Sequence, residues 1–221
     1  MSSEMNKLMI LGAGGHGRVV AEIAQLSGKY KDIAFLDDKA PEASFPYPYK
    51  GKCATITEYL KNYDFFIAIG NAVNRRWLQT EVEEAGGRII TLIHPSAIIS
   101  KDVTIGKGTV VMAGAIINTG ATIGNGVILN TASSVDHDCV VEDFCHVSVG
   151  AHLCGTVHLG SGTWIAAGAT VINNVTICSD CLIGAGSTVT HDLLNSGIYK
   201  GTPAVYSHSL VSNQIEPHSG V

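Results

Sequence analysis

His137 stands between two carboxylates, in the run Ser133-Ser134-Val135-Asp136-His137-Asp138-Cys139. An aspartate bonded to imidazole raises its basicity and fixes its tautomer, which suits a general base. His146 follows nine residues later and Gly155 eighteen residues later. A second constellation lies near the start: Gly12-Ala13-Gly14-Gly15-His16-Gly17, with Asp37-Asp38 beginning twenty residues past Gly17. Free N–H groups at a helix N-terminus hold phosphate, and a carboxylate after the next strand can accept from a base or sugar donor. Cys178 and Cys181 form one CxxC, poor evidence for zinc when it stands alone.

The elements that position these residues are legible from one period. Every sixth residue from Ile99 to Val189 is aliphatic, sixteen times without a slip. Two positions before each sits a small or modest residue, among them Ala97, Thr109, Ala115, Ser133, Cys139, Cys145, Ala151, Thr163 and Cys181. A helix repeats near 3.6 and a half-buried strand at 2. Six is a multiple of two, so each hexad is a short strand with two inward side chains and a turn. Three hexads close a triangular coil of eighteen residues, the hexapeptide β-helix. Sixteen hexads make about five coils and a prism roughly 25 Å long. Gly106, Gly124, Gly160 and Gly184 directly follow the aliphatic, where a tight corner with positive φ is expected and glycine tolerates it.

With eighteen residues per coil, Gly155 stacks beside His137, its N–H a candidate oxyanion donor. His146 is half a coil away and faces another side of the prism. If both histidines serve one site, two chains supply them, which points to a cyclic trimer with sites between subunits. His152 and His158 lie six residues apart on different faces, so they do not converge on a metal within one chain.

Residues 1–93 read as a separate Rossmann-like βαβ domain. Strands are expected at Lys7–Leu11, Ile33–Leu36, Phe65–Ile69 and Arg88–Ile93. Helices are expected from the glycine run to Leu26 and from Asn74 to Ala85. Lys39 to Lys52 reads as a surface excursion. GxGxxG formally matches the dinucleotide fingerprint, yet the sheet stops after about ninety residues and a β-helix begins. The loop is therefore read as a nucleotide-sugar pocket. A bare tight turn and a true NAD site are its alternatives. Residues 94–205 form the β-helix domain, and 206–221 form a polar tail without hexads, expected to fray.

The chain has 221 residues and a net charge of −5, with no Lys/Arg cluster to attract nucleic acid. No run of eighteen apolar residues is present, and the N-terminus lacks the pattern of a signal peptide. A cytoplasmic protein is expected, its six cysteines reduced thiols.

Taken together, several motifs resemble the bacterial sugar acyltransferases of the left-handed β-helix superfamily, the sialic acid O-acetyltransferase-like family. Within it the chain is most similar to the PglD-type N-acetyltransferases of UDP-4-amino sugars. The motifs are Gly12 to Gly17, Phe35-Leu36-Asp37-Asp38, Phe65 to Asn71, Ile93-His94-Pro95-Ser96-Ala97, Ile128-Leu129-Asn130-Thr131, His137-Asp138-Cys139, His146-Val147-Ser148 and Gly201-Thr202-Pro203-Ala204. The resemblance implies a left-handed coil, an exception to the right-handed crossover rule, and a homotrimer. It implies acetyl-CoA lying between two β-helices and no metal. His137 would be the base, Asp138 its support, and His146 a contact to the acetyl donor. Ala167 and Ala185 fall where main-chain groups hold the pantetheine arm. Gly14, Gly15, His16, Asp37, Asp38 and Gly70 would hold the nucleotide. The family's GxPA usually continues into Lys or Arg; Val205 follows here, so no basic side chain is placed there for a CoA phosphate. The reaction implied is direct attack of a sugar C4 amine on acetyl-CoA, with Gly155 meeting the oxyanion. The alternatives are O-acetylation of a sialic acid, a trimeric zinc hydratase and a non-catalytic nucleotide-sugar sensor.

Overall fold

The computed structural model describes residues 6–210. The chain divides into two compact units, with the boundary between Pro95 and Ser96.

The first unit is a five-stranded, all-parallel sheet flanked by helices. Its strands are β1 (Asn6–Leu11), β2 (Tyr30–Leu36), β3 (Tyr49–Gly51), β4 (Asp64–Ile67) and β5 (Arg88–Ile89), in the spatial order β3-β2-β1-β4-β5. Helix α1 (Gly15–Leu26) follows β1, and α2 (Ala72–Glu84) follows β4. Chain order reverses between β1 and β4, which makes their carboxyl ends a switch point of the kind where α/β sheets bind ligands. Leu8 to Leu11, Phe35, Leu36, Phe65 and Ile67 are almost wholly buried, as strands covered on both faces require.

Three expectations for this unit change. The strand foreseen over Arg88–Ile93 breaks into Arg88–Ile89 and Leu92–Ile93. Its partner β4 is only four residues long, and the N–H of Ile90 makes the last bond to it, to the carbonyl of Phe65. The β4 strand itself ends at Ile67, not Ile69. The excursion over Lys39–Lys52 contains β3, and Phe45 packs its ring 4.9 Å from Phe35 and 5.9 Å from Tyr47.

The second unit is the left-handed parallel β-helix. Each hexad is a two- or three-residue strand, and from Ile98–Ile99 to Thr170–Val171 each strand pairs with the strand eighteen residues on. Ile98–Ile99, Ile116–Ile117, Ser134–Val135, His152–Leu153, Thr170–Val171 and Thr188–Val189 stack as a first face. Thr104–Ile105, Thr122–Ile123, Val140–Val141, His158–Leu159 and Thr176–Ile177 form the second. Val110–Val111, Ile128–Leu129, His146–Val147, Trp164–Ile165 and Cys181–Ile183 form the third, continued by Gly197–Lys200. The aliphatic column and the small column together make the core. Polar members of the small column bond the backbone. Oγ1 of Thr109 donates to the carbonyl of Gly124 and accepts from the N–H of Val127; Thr163 does the same with Cys178 and Cys181.

The glycine expectation is corrected here. Gly106, Gly124, Gly160 and Gly184 are not in the left-handed region. That conformation falls three residues after the aliphatic, at Gly108, Gly114, Gly120, Gly126, Gly150, Gly162, Gly168 and Gly186, and at Ala132, Asp138, Phe144, Thr156, Asn174 and Asp180. Gly106, Gly124 and Gly160 are needed for a different reason, close approach of stacked backbones. A methyl group on Gly106 would fall 2.6 Å from the carbonyl of Gly124, and one on Gly160 2.5 Å from the N–H nitrogen of Ser179.

The tail expectation is corrected in part. Val205–His208 is a strand, antiparallel to Gly197–Lys200, with the ring of Tyr206 5.5 Å from that of Tyr199. Residues 211–221 lie outside the described residues.

Candidate active site

His137 follows the first-face strand Ser134–Val135 and sits on the corner that leads to the second face. Its Nδ1 lies 2.9 Å from Oδ2 of Asp138. Oδ1 of Asp136 accepts the backbone N–H of His137 at 2.7 Å and the Nδ2–H of Asn118, one coil below, at 2.7 Å. The bond to Asp138 and the charges of Asp136 and Asp138 lift the His137 imidazole above its ordinary value. With Nδ1 donating to Asp138, the lone pair of Nε2 is the available basic group.

The dyad is bracketed by two glycines. Any side-chain carbon on Gly120 would collide with Oδ1 of Asp138. One on Gly155 would fall 2.6 Å from Cε1 of His137 and closer still to Nε2. Among the described residues the N–H of Gly155 donates to no protein group. His137, Asp138 and Gly155 are therefore brought together, as the eighteen-residue period foresees.

His146, Ala167 and Ala185 are not on that corner. His146 lies on the third face. Ala167 and Ala185 are exposed on the corner between the third and first faces, where the N–H of Gly186 bonds the carbonyl of Ala167. Their neighbours Gly168 and Gly186 face open space. That corner is an edge of small residues along which a thin ligand could run. Partners of His146 that the sequence reading missed are Trp164, which stacks on it, and Ser148 and Asn130, whose polar atoms reach its Nε2.

In the first unit, Gly14 is the N-cap of α1 and no side chain caps the helix, so its first N–H groups are open to a ligand. A cavity of about 390 Å³ lies beside it, lined by Gly14, Gly15, Arg18, Asp37, Lys39 and Phe45 among others. Arg18, Lys39 and Phe45 were absent from the sequence reading, because a cation in a helix and a Pro-rich excursion carry no motif. Asp37 and Asp38 are already engaged: Asp37 accepts from the N–H groups of Ala13 at 2.7 Å and Lys39 at 2.9 Å, and Asp38 from that of Cys53 at 3.1 Å. Asp37 thus braces the glycine loop itself. Gly17 is demanded by close approach, since a Cβ there would collide with the carbonyl of Gly12. Gly70 offers its carbonyl to Nη1 of the buried Arg75 at 2.7 Å. Burial and Arg75 lower His16 to about 4, so its ring is neutral near pH 7.

The thiols of Cys178 and Cys181 lie 3.6 Å apart, and burial pushes the Cys181 thiol up to about 12. No group of three or more metal-binding side chains occurs among the described residues.

Residues 7–82 match the PglD N-terminal domain, and residues 156–191 match the bacterial transferase hexapeptide repeat. The acetyltransferase domain of PglB from Neisseria gonorrhoeae FA1090, solved with acetyl coenzyme A, superposes with a TM-score of 0.88 at 37% identity, covering 91% of this chain and 99% of that one. The chain belongs to the PglD-type hexapeptide acetyltransferase family. A second member is the perosamine N-acetyltransferase of Caulobacter crescentus, solved as a His-to-Asn mutant with CoA and GDP-perosamine. It matches at 33% identity and a TM-score of 0.88, covering 95% of this chain and 100% of that one. A curated member, the UDP-N-acetylbacillosamine N-acetyltransferase of Bacillus subtilis strain 168, is 38% identical over 109 residues. That match spans 47% of this chain and 50% of the relative's length. Among the described residues of this family member, no helix is long and apolar enough to cross a membrane.

Proposed function

We propose that the protein transfers the acetyl group of acetyl-CoA to the C4 amine of a nucleotide-linked 4-amino-4,6-dideoxy sugar, UDP-linked in the first instance. The observation that carries this reading is the His137–Asp138 pair with its Nε2 edge set against Gly155. The relatives solved with acetyl coenzyme A, and with CoA and GDP-perosamine, support the co-substrate and the substrate class.

Acetyl-CoA supplies an activated thioester, and its thiolate is a good leaving group. An ammonium cannot attack it, so the amine must lose a proton. Nε2 of His137 accepts that proton while Asp138 stabilises the imidazolium. The N–H of Gly155 meets the oxygen on which charge develops. No covalent enzyme intermediate is required. Cys139, next but one to His137, points inward and is wholly buried.

The pantetheine arm lies along the Ala167–Ala185 edge. His146 sits on another face from His137, so the second histidine of each site comes from a neighbouring copy in a homotrimer. The cavity beside α1 takes the nucleotide, with Gly14, Gly15 and Asp37 in its lining; His16, Asp38 and Gly70, which the resemblance also implies, do not line it.

The test is CoA release, followed by a thiol dye, with UDP-, dTDP- and GDP-linked 4-amino-4,6-dideoxy sugars and with free sialic acid. Turnover with one amino sugar, abolished in His137→Ala, is the expected result. Turnover with sialic acid alone makes it an O-acetyltransferase. Nucleotide binding without any turnover makes it a sensor.

A further inference from the structure

The imidazole of His146 is held by three neighbours. It stacks on Trp164 with ring centroids 5.7 Å apart and planes 3° from parallel. The indole Nε1–H of Trp164 donates to Oγ of Ser148 at 2.6 Å, and that oxygen lies 3.5 Å from Nε2 of His146. Nδ2 of Asn130 lies 3.1 Å from the same Nε2. The β-helix sets this up: Ile128, His146 and Trp164 are in register on the third face, so Asn130 and Trp164 come from the coils on either side.

The hydrogen bonds fix where the proton sits. Oδ1 of Asn130 accepts the N–H of Thr131 at 2.8 Å, so the amide nitrogen is the end turned to His146. An amide nitrogen only donates. Nε2 of His146 therefore accepts, and the ring proton is on Nδ1. His137 also carries its proton on Nδ1, but donates it to Asp138 and keeps the Nε2 lone pair as a base. The two histidines share a tautomer: Asp138 holds Nδ1 of His137, and Asn130 and Ser148 hold Nε2 of His146. Trp164 is 45% exposed, so core packing does not fix its ring; the bond to Ser148 does.

We propose that Trp164 and Asn130 are positioning residues for His146, locking it as the Nδ1–H tautomer so that it acts as a hydrogen-bond donor to the acetyl thioester and not as a second base. This rests on the reading of His146 as a contact to the acetyl donor.

Histidine ring ¹⁵N NMR of the intact protein, with the His146 signal assigned by its loss in His146→Gln, tests the lock without turnover. Wild-type His146 is expected to show an unprotonated Nε2. In Trp164→Ala and Asn130→Ala its two nitrogen shifts should move toward the tautomer average, while Trp164→Phe, which keeps a stacking ring, should move them less. Kinetically, Trp164→Ala should raise the KM for acetyl-CoA about tenfold, the scale of one hydrogen bond, with the nucleotide-sugar KM and the Tm unchanged. A wild-type His146 protonated on Nε2 overturns the proposal. So does a Trp164→Ala protein that keeps the tautomer, or one that raises both KM values and lowers Tm together. If the wild-type protein turns over no acetyl-CoA, the acetyltransferase reading fails, and with it the donor role, whatever the NMR shows of the tautomer.

Discussion

The imidazole of His137 lies so close to the backbone of Gly155 that a methyl group on residue 155 would fall 2.6 Å from Cε1. Gly155 has no left-handed φ, so alanine there costs no backbone strain. Gly155→Ala is therefore expected to keep its Tm and lose activity. Displacing the base and crowding the N–H beside it should lower kcat by about 10²- to 10³-fold, the scale of a lost oxyanion donor. An active Gly155→Ala enzyme would remove Gly155 from the mechanism.

The Asp138 carboxylate is the largest cause of the raised His137 pKa. A base works deprotonated, so kcat/KM should climb with pH through the His137 pKa, on a limb above the ordinary histidine range. Asp138→Asn removes the charge, and the limb should move to lower pH while the plateau falls. Asp138 has φ 57°, a conformation that asparagine tolerates, so the fold should be retained. A limb that stays in place would assign the titration to another group.

Ser133 occupies a small inward position, and its buried Oγ has no hydrogen-bond partner. Thr109 and Thr163 at equivalent positions are fully bonded to backbone. Ser133→Ala should stabilise by about 1 kcal/mol, since an unpaired buried hydroxyl is removed at little cost in volume. The measurement is Tm, expected to rise about 2–4 °C; a fall would reveal a partner for the hydroxyl.

Arg18 and Lys39 line the cavity beside the uncapped start of α1. Arg18→Ala and Lys39→Ala should each weaken nucleotide-sugar binding by about 1 kcal/mol, roughly fivefold, as exposed charges do. The loss should shrink at high salt, and kcat should not change. Equal losses with acetyl-CoA would place the cavity in the other substrate's path.

His16 is lowered from 6.5 to about 4 by burial and by Arg75. Between those values the unfolded chain binds the proton and the folded chain does not. The stability is thus present above about pH 6.5 and lost progressively as pH falls to about 4. His16→Gln should flatten the Tm–pH curve over this window; parallel curves would exclude His16 as the cause.

The unbroken aliphatic column fixed the β-helix, its coil length and the meeting of His137 with Gly155, because a strand stack repeats each position at one interval. The glycine run and Asp37 were equally legible as a βα turn, although the carboxylate turns out to brace the loop. The proline-rich stretch over Lys39–Lys52 was opaque. Short irregular backbone has no period, and Phe45 finds Phe35 and Tyr47 only through the sheet.

Hydrophobic periodicity in the sequence alone thus determined the two-part architecture, the inward and outward sides of every coil, and the separation of His137 from His146. Only the tertiary structure decided which nitrogen of each histidine is tied up, why Gly106, Gly124 and Gly160 must lack side chains, and that Trp164 clamps His146. These depend on atoms from neighbouring coils meeting within hydrogen-bond or contact distance. A residue's period says which column it joins, not how its side chain turns there.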